Sequence, residues 1–418
     1  MRKILIILIT IISVAVFALV GWYLFMGDPK TPTAEIIRNI LPFGKGDDTN
    51  LQPTTNNQQP ITGEGANQLD EFAGPTQDLF RISDTPVAGS VVFIKNGKPI
   101  VRYVDRATGH IYDVTLPTNA SSTSLDKVKV SNNTLPKIYE AYFRSDGNAV
   151  LLRSLKDDSD TVVNLTLTLT APKATSTDNL YTVSSTLIRG DISTLAVGPS
   201  NTFYYALRDT SSVVSSAFNG TGVKNLFSSP FTDWSLASAL NSLIVYTKAS
   251  TNVAGYAYAV NTSNGVLTKI LGPLNGLVAV PDTSNNKVLY SYTESGETKL
   301  FVKNIKSKVL SEILPRTLAE KCIWGIKKVN LLFCGVPIDD VDAGEPDNWY
   351  RGVTHFSDRI WLFDTNADIA QVLIEPKQSF GIDIDMFEPK LSPNEDYLIF
   401  TNKTDLSLWA LKLKLEQP

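Results

Sequence analysis

The chain has 418 residues, 43% of them hydrophobic and 19% charged, with a formal net charge of −4 and an isoelectric point near 5.4. Lysine and arginine are scattered singly among Thr, Ser and Asn, so the electrostatic footprint of a nucleic-acid-binding protein is missing from the sequence. With only two histidines, His110 and His355, and two cysteines, Cys322 and Cys334, most metal-centre and Cys–His nucleophile chemistry is excluded, and neither a metal nor a cofactor is expected.

In chain order, the first element is an uncharged apolar run from Ile4 to Met26. At about 1.5 Å of rise per residue such a run spans the roughly 30 Å hydrocarbon core of a bilayer. Arg2 and Lys3 precede it and Asp28 follows it. The positive-inside bias then makes residues 1–27 a cytoplasmic tip and transmembrane helix, with the rest of the chain extracytoplasmic. A cleaved signal peptide is the competing reading, since Val16 and Ala18 offer small residues to a peptidase. The apolar run continues well past Ala18, which favours a single-pass anchor. No cysteine lies nearby to take a lipid.

Residues 28–78 lose hydrophobic periodicity. The stretch PTTNNQQPITGEGANQ is too polar to bury a core, so a largely disordered linker is expected, with AEIIRNILPFG at 34–44 as its one candidate for a short helix.

After Leu79 short β-branched and aromatic runs alternate with Gly, Asn, Asp and Pro, the pattern of many short strands. Aligned on one strand, the copies read VVFI from Val91, VLLRS from Val150, FYYAL from Phe203, LIVYT from Leu243, VLYSY from Val288, LLFCG from Leu331 and YLIFT from Tyr397. Their spacings run from about 40 to about 66 residues, and the shorter ones match the ~40–45 of a four-stranded blade. An apolar strand precedes each copy, as in ISTLAVG, WSLASA and CIWGI, and a hairpin follows, as in YAYAVNTSNGVLTKIL. The first copy has only a brief strand-like stretch before it, and the last stops after its third strand, DLSLWALKLK. Residues 79–83 resemble the missing fourth strand, which would close the C-terminal blade.

The expectation is an all-β fold, a seven-bladed β-propeller over residues 79–416, with six or eight blades as the counting alternatives. The pattern resembles the WD-repeat-like and TolB-like β-propellers, although no copy carries the Gly-His and Trp-Asp pair of true WD repeats or the Asp-box of sialidases. With KCIWG, LLFCGVP and an anchored N-terminus, the chain also looks like membrane-anchored propellers of the bacterial envelope.

Cys322 and Cys334 flank a hairpin centred near Lys328, which sets them opposite each other, and outside the cytoplasm a disulfide is permitted. Two buried free cysteines are the alternative. The segment PIDDVDAGEPDNWYRGVTHFSD enlarges the connection between the second and third strands of one blade, on the face where propellers usually bind ligands. Its Asp339, Asp340, Asp342, Glu345 and Asp347 fit no calcium-loop spacing and read as a solvated acidic loop. Trp349 and Tyr350 suit either a binding surface or an aromatic plug that anchors the loop. Trp234, Trp324, Trp361 and Trp409 lie in expected strands and read as core. No HExxH spacing, GxSxG elbow or glycine-rich phosphate loop occurs.

These readings point to a non-enzymatic extracytoplasmic binding or scaffold module for a protein or peptide of the cell envelope. The alternative is an envelope glycan-binding or glycan-hydrolysing propeller that gathers its acids from several blades.

Overall fold

In a computed structural model the described residues are 78–117, 125–156, 161–173, 180–239, 242–341 and 343–414, all within a compact unit, Glu64–Pro418. The expected anchor at 4–26, the linker up to residue 77, and Asp342 lie outside the described residues. Among the described residues no helix is long and apolar enough to cross a membrane.

Alternating runs of Val, Ile, Leu, Phe and Tyr between turn residues fold into antiparallel strands that pair in chain order. Among the described residues five sheets have four strands and one has seven. The second strands Leu331–Pro337 and Tyr397–Asn402 are covered on both faces, with every residue buried. Outer strands such as Asp126–Ser131 and Leu310–Glu312 are largely exposed. The seven-stranded sheet is held together by one long strand, Leu267–Pro281, which pairs with Ala254–Val260 as far as Asn275 and with Lys287–Glu294 from Asn275 onward. Gly276 sits at this change of partner with φ 61°, and a Cβ there would stand 2.7 Å from the Thr293 hydroxyl. Only glycine fits that approach.

Each sheet packs face to face on the next, and the apolar clusters lie between successive sheets. Val104, Ile111 and Val130 meet Phe143, Val150 and Leu152, while Leu151 and Ala149 meet Ile192 and Phe203. The last sheet packs on the first through Tyr397, Ile399 and Leu408 against Val92, Val101 and Tyr103. The series of sheets is therefore cyclic, and the fold is a β-propeller. Buried arginines reinforce the joints. Arg102 is clamped by Asp113 at 2.6 and 2.7 Å and donates its remaining nitrogen to the Gly147 carbonyl of the next sheet at 2.9 Å. Arg153 does the same toward the Ile192 carbonyl at 3.0 Å.

The last sheet draws its fourth strand from the other end of the domain. Leu79–Arg81 pairs antiparallel with Leu408–Lys412, setting Leu79 opposite Leu411 and Arg81 opposite Trp409. The first repeat differs from its sequence reading by one strand. VVFI belongs to the first strand of its sheet, Val87–Lys95, and IVRYV to the second, Lys98–Asp105. The displaced frame has a physical cause: the true fourth strand, Asp126–Ser131, is an outer edge exposed over its first three residues, and its sequence DKVKVS lacks an apolar signature.

Leu79, Phe80 and Ile82 are at most 6% exposed. Removing residues 79–83 is expected to cost on the order of 5 kcal/mol, from three buried side chains and an opened sheet edge. Urea unfolding of the truncated and full chains measures the difference; equal midpoints would mean that the ring is held closed elsewhere.

Candidate functional site

The enlarged loop leaves the strand Leu331–Pro337 and returns at Asp358–Asp364. Its centre is one helical turn, Asp347–Tyr350. Gly352, with φ 70°, ends that turn as the left-handed residue, and its N–H bonds the Trp349 carbonyl at 3.1 Å.

This turn directs Trp349 inward. Of the two readings left open for Trp349 its burial fits the plug, and only as a presented binding-loop residue is it a correction: it is 0% exposed. Its indole N–H bonds both oxygens of Asp385, at 3.0 and 2.9 Å. The Lys321 and Lys403 ammonium groups lie 5.0 and 4.9 Å from its ring centroid. Lys403 also donates to the Trp349 carbonyl at 2.6 Å. Glu345 is a second correction to the picture of a solvated acidic loop, being 0% exposed with Oε2 accepting the Trp349 N–H at 2.7 Å. Asp347 accepts from the Thr251 N–H at 2.6 Å and the Ser250 hydroxyl at 3.3 Å, pinning the loop to a second sheet. These donors hold its carboxyl below the usual range, although burial opposes them.

Beneath the loop Lys321 meets Asp358 at 2.8 Å and also Asp385, with all three side chains 0% exposed. Burial pushes the Asp358 carboxyl up to about 6, against the pull of Lys321. Lys321, Asp358, Asp385 and Lys403 escape a sequence reading because no motif links them. The one available signal is a lysine set between Ala319 and Cys322 at the start of an apolar strand.

Asp339 and Asp340 are exposed and rim a cleft of about 530 Å³ that also contains Arg316, Arg359 and Trp361. Both arginines are already paired there, Arg316 with Glu297 and Glu312 at 3.2 and 3.0 Å, and Arg359 with Glu375 at 3.2 Å. Cys322 and Cys334 face each other across a strand pair and are joined as a disulfide. His110 bonds the Thr134 hydroxyl at 3.1 Å, and His355 is exposed. Trp234, Trp324 and Trp409 are buried, and Trp361 is partly buried. Among the described residues no cluster of His, Cys, Asp and Glu is arranged to hold a metal ion.

A second cavity, of about 540 Å³, lies where the first strands of the sheets converge. Val91, Ala141, Val197, Ala237, Ala279 and Ile323 contribute to its wall, with Glu320, Glu388 and Lys390 as charged groups. Tyr350, which keeps 39% exposure, turns its hydroxyl onto Glu320 Oε1 at 2.5 Å, so the loop reaches this cavity. Burial pushes the Glu320 carboxyl up to about 7, against the Tyr350 hydroxyl and the Lys321 and Lys403 charges. Burial also raises the Tyr246 phenol beside it.

The chain is thus a β-propeller whose enlarged loop is plugged by Trp349. Among solved structures it is similar to the β-propeller domain of Cps50 (Swd1) from Myceliophteria thermophila, at 8% identity over 80% of this chain and 100% of that one, TM-score 0.47. The β-propeller domain of the Trilobed protease from Pyrococcus furiosus matches at 11% identity over 78% and 96%, TM-score 0.45. TolB from Acinetobacter baumannii matches at 10% identity over 63% and 59%, TM-score 0.38. No family model and no curated protein sequence matches the chain.

Two outcomes follow from this geometry. Trp349→Ala is expected to destabilise the domain by about 3–5 kcal/mol, the cost of emptying a buried aromatic site; a change within about 0.5 kcal/mol would make the indole a surface group. For Glu320, the folded chain holds a proton between the ordinary value of 4.5 and about 7 that the unfolded chain has released. Stability therefore falls as pH rises through that window and levels off above it. Glu320→Gln should flatten the decline in unfolding midpoint between about pH 5 and about pH 8, and an unchanged slope would assign the decline to other groups.

Proposed function

We propose that the chain is a membrane-anchored, extracytoplasmic binding module, a seven-bladed propeller that docks a protein or peptide of the cell envelope at the cavity beside the enlarged loop. The blade count follows from reading the seven-stranded sheet as two blades that share Leu267–Pro281. The external location rests on the uncharged run 4–26 with its basic flank at Arg2 and Lys3, and the Cys322–Cys334 bridge suits an oxidising compartment.

The observation that carries the binding reading is the cavity wall. Small and apolar side chains such as Ala141, Val197, Ala237 and Ala279 leave room for an extended segment, while Glu320, Glu388 and Lys390 offer charged handles to its ends or side chains. An apolar wall with a few placed polar groups is the usual make-up of a recognition pocket. Tyr350 extends the site onto the loop through its Glu320 contact.

A photo-reactive amino acid placed at Ala237 in intact cells tests the site, with Val309, 60% exposed near an outer strand, as the control position. Protein adducts from 237 and none from 309 are expected. Equal labelling, or capture of glycan alone at 237, would overturn the reading. A reporter fused after Pro418 should be active only outside the cytoplasm, and cytoplasmic activity would reverse the topology.

A further inference from the structure

Lys321, Asp358 and Asp385 are each 0% exposed and take no part in the binding site proposed above. A buried ammonium between two buried carboxylates is costly, because desolvation offsets most of the Coulomb attraction. Their arrangement also holds an amine against a carboxyl group. Lys321 Nζ touches Asp385 Oδ1 and lies 2.8 Å from Asp358 Oδ2. Asp385 is held by fixed donors: Trp349 Nε1 reaches Oδ1 and Oδ2 at 3.0 and 2.9 Å, and the Phe356 N–H reaches Oδ2 at 3.2 Å. Asp358 is fixed by the Met386 N–H on Oδ2 at 2.7 Å, and its Oδ1 has no hydrogen-bond partner among the described residues. The Phe356 ring, 4.8 Å from the Lys321 ammonium, and Trp349 close the site to water.

We propose that Lys321 and Asp385 condense after folding into an intramolecular amide between Nζ and Cγ, with Asp358 as the proton carrier. A proton first passes from the Lys321 ammonium to Asp385 Oδ1, leaving a neutral amine and a carboxylic acid. The Nζ lone pair attacks Cγ, and the C=O π electrons move onto Oδ2, where Trp349 Nε1 and the Phe356 N–H receive the developing charge. Asp358 takes a proton from Nζ and delivers it to the Oδ1 hydroxyl. The Cγ–Oδ1 bond breaks, one water leaves, the carbonyl re-forms at Oδ2, and Asp358 returns to its starting state. No oxidant, cofactor or energy source is consumed.

In water this condensation is opposed by the hydration of the separated ions, and burial removes that opposition. Holding the two groups in contact supplies an effective concentration of about 10⁵ to 10⁸ M. The bond would join the segment entering Cys322–Trp324 to the residue preceding Met386–Leu391, and so tie two neighbouring sheets under the plugged loop.

The test is peptide-level mass spectrometry on the full chain purified in folded form, reduced to open the disulfide and digested with trypsin. A branched peptide that carries both Lys321 and Asp385, about 18 Da lighter than the sum of its two arms, is expected, with no cleavage after Lys321. Lys321→Arg should abolish the branched peptide, and Asp358→Asn should reduce it at least about tenfold at equal folding time. Linear peptides of full mass spanning Lys321 and Asp385 in the unsubstituted chain would overturn the amide. A deficit that survives Lys321→Arg would place the chemistry elsewhere, and a branched peptide formed at full yield in Asp358→Asn would overturn the role of Asp358. The result from the unsubstituted chain decides the bond even if a variant fails to fold.

Discussion

The domain depends on the antiparallel pairing of Leu79–Arg81 with Leu408–Lys412. The clusters at the joint and at the sheets after it are built from the facing sides of two neighbouring sheets, so these sheets share their cores. A break at one joint exposes two faces at once, and the sheet edges beside it become templates for foreign strands. Here the joint is made by side chains as well as backbone. Phe80 packs edge-on to Tyr397 at 6.1 Å, and the Tyr397 hydroxyl crosses to the Pro117 carbonyl of the first sheet at 2.5 Å.

The enlarged loop obeys a different constraint. It has little apolar area, with Leu318, Trp349 and Phe356 as its small buried cluster. Directional bonds do the rest: Trp349 donates to Asp385, Lys403 to the Trp349 carbonyl, and Thr251 to Asp347. The Lys321 and Lys403 ammonium groups become tolerable because each lies against a carboxylate or an aromatic face. The outcome is a loop fixed at both ends of its helical turn, whose exposed Tyr350 is held in register with Glu320 at the cavity.

The all-β character and the propeller pattern are legible in the sequence because both are local: β-branched runs of strand length, turn residues between them, and recurrence at blade length. Where locality fails, the reading fails. DKVKVS pairs as an outer strand while looking like a charged connection, so the first repeat reads one strand out of frame. The sequence leaves Trp349 open between surface and plug because its partners Asp385 and Lys403 lie 36 and 54 residues away. Lys321, Asp358 and Asp385 carry no spacing that announces them, since only the packing of adjacent sheets brings them together. Glu320 is equally silent, for its altered affinity for protons comes from burial and not from neighbours in sequence.

The closing strand has a mechanical meaning as well as a thermodynamic one. Any tension carried by the chain before Asp78 enters the domain at a strand only 3 residues long. Beside it the Lys414–Asp78 ion pair, at 2.6 Å, is solvent-exposed and gives little resistance. The other strand of that joint, Leu408–Lys412, stays bonded on its far side to Tyr397–Asn402. A pull would therefore peel away this three-residue strand before loading any other sheet, which makes Leu79–Arg81 the mechanical fuse of the molecule.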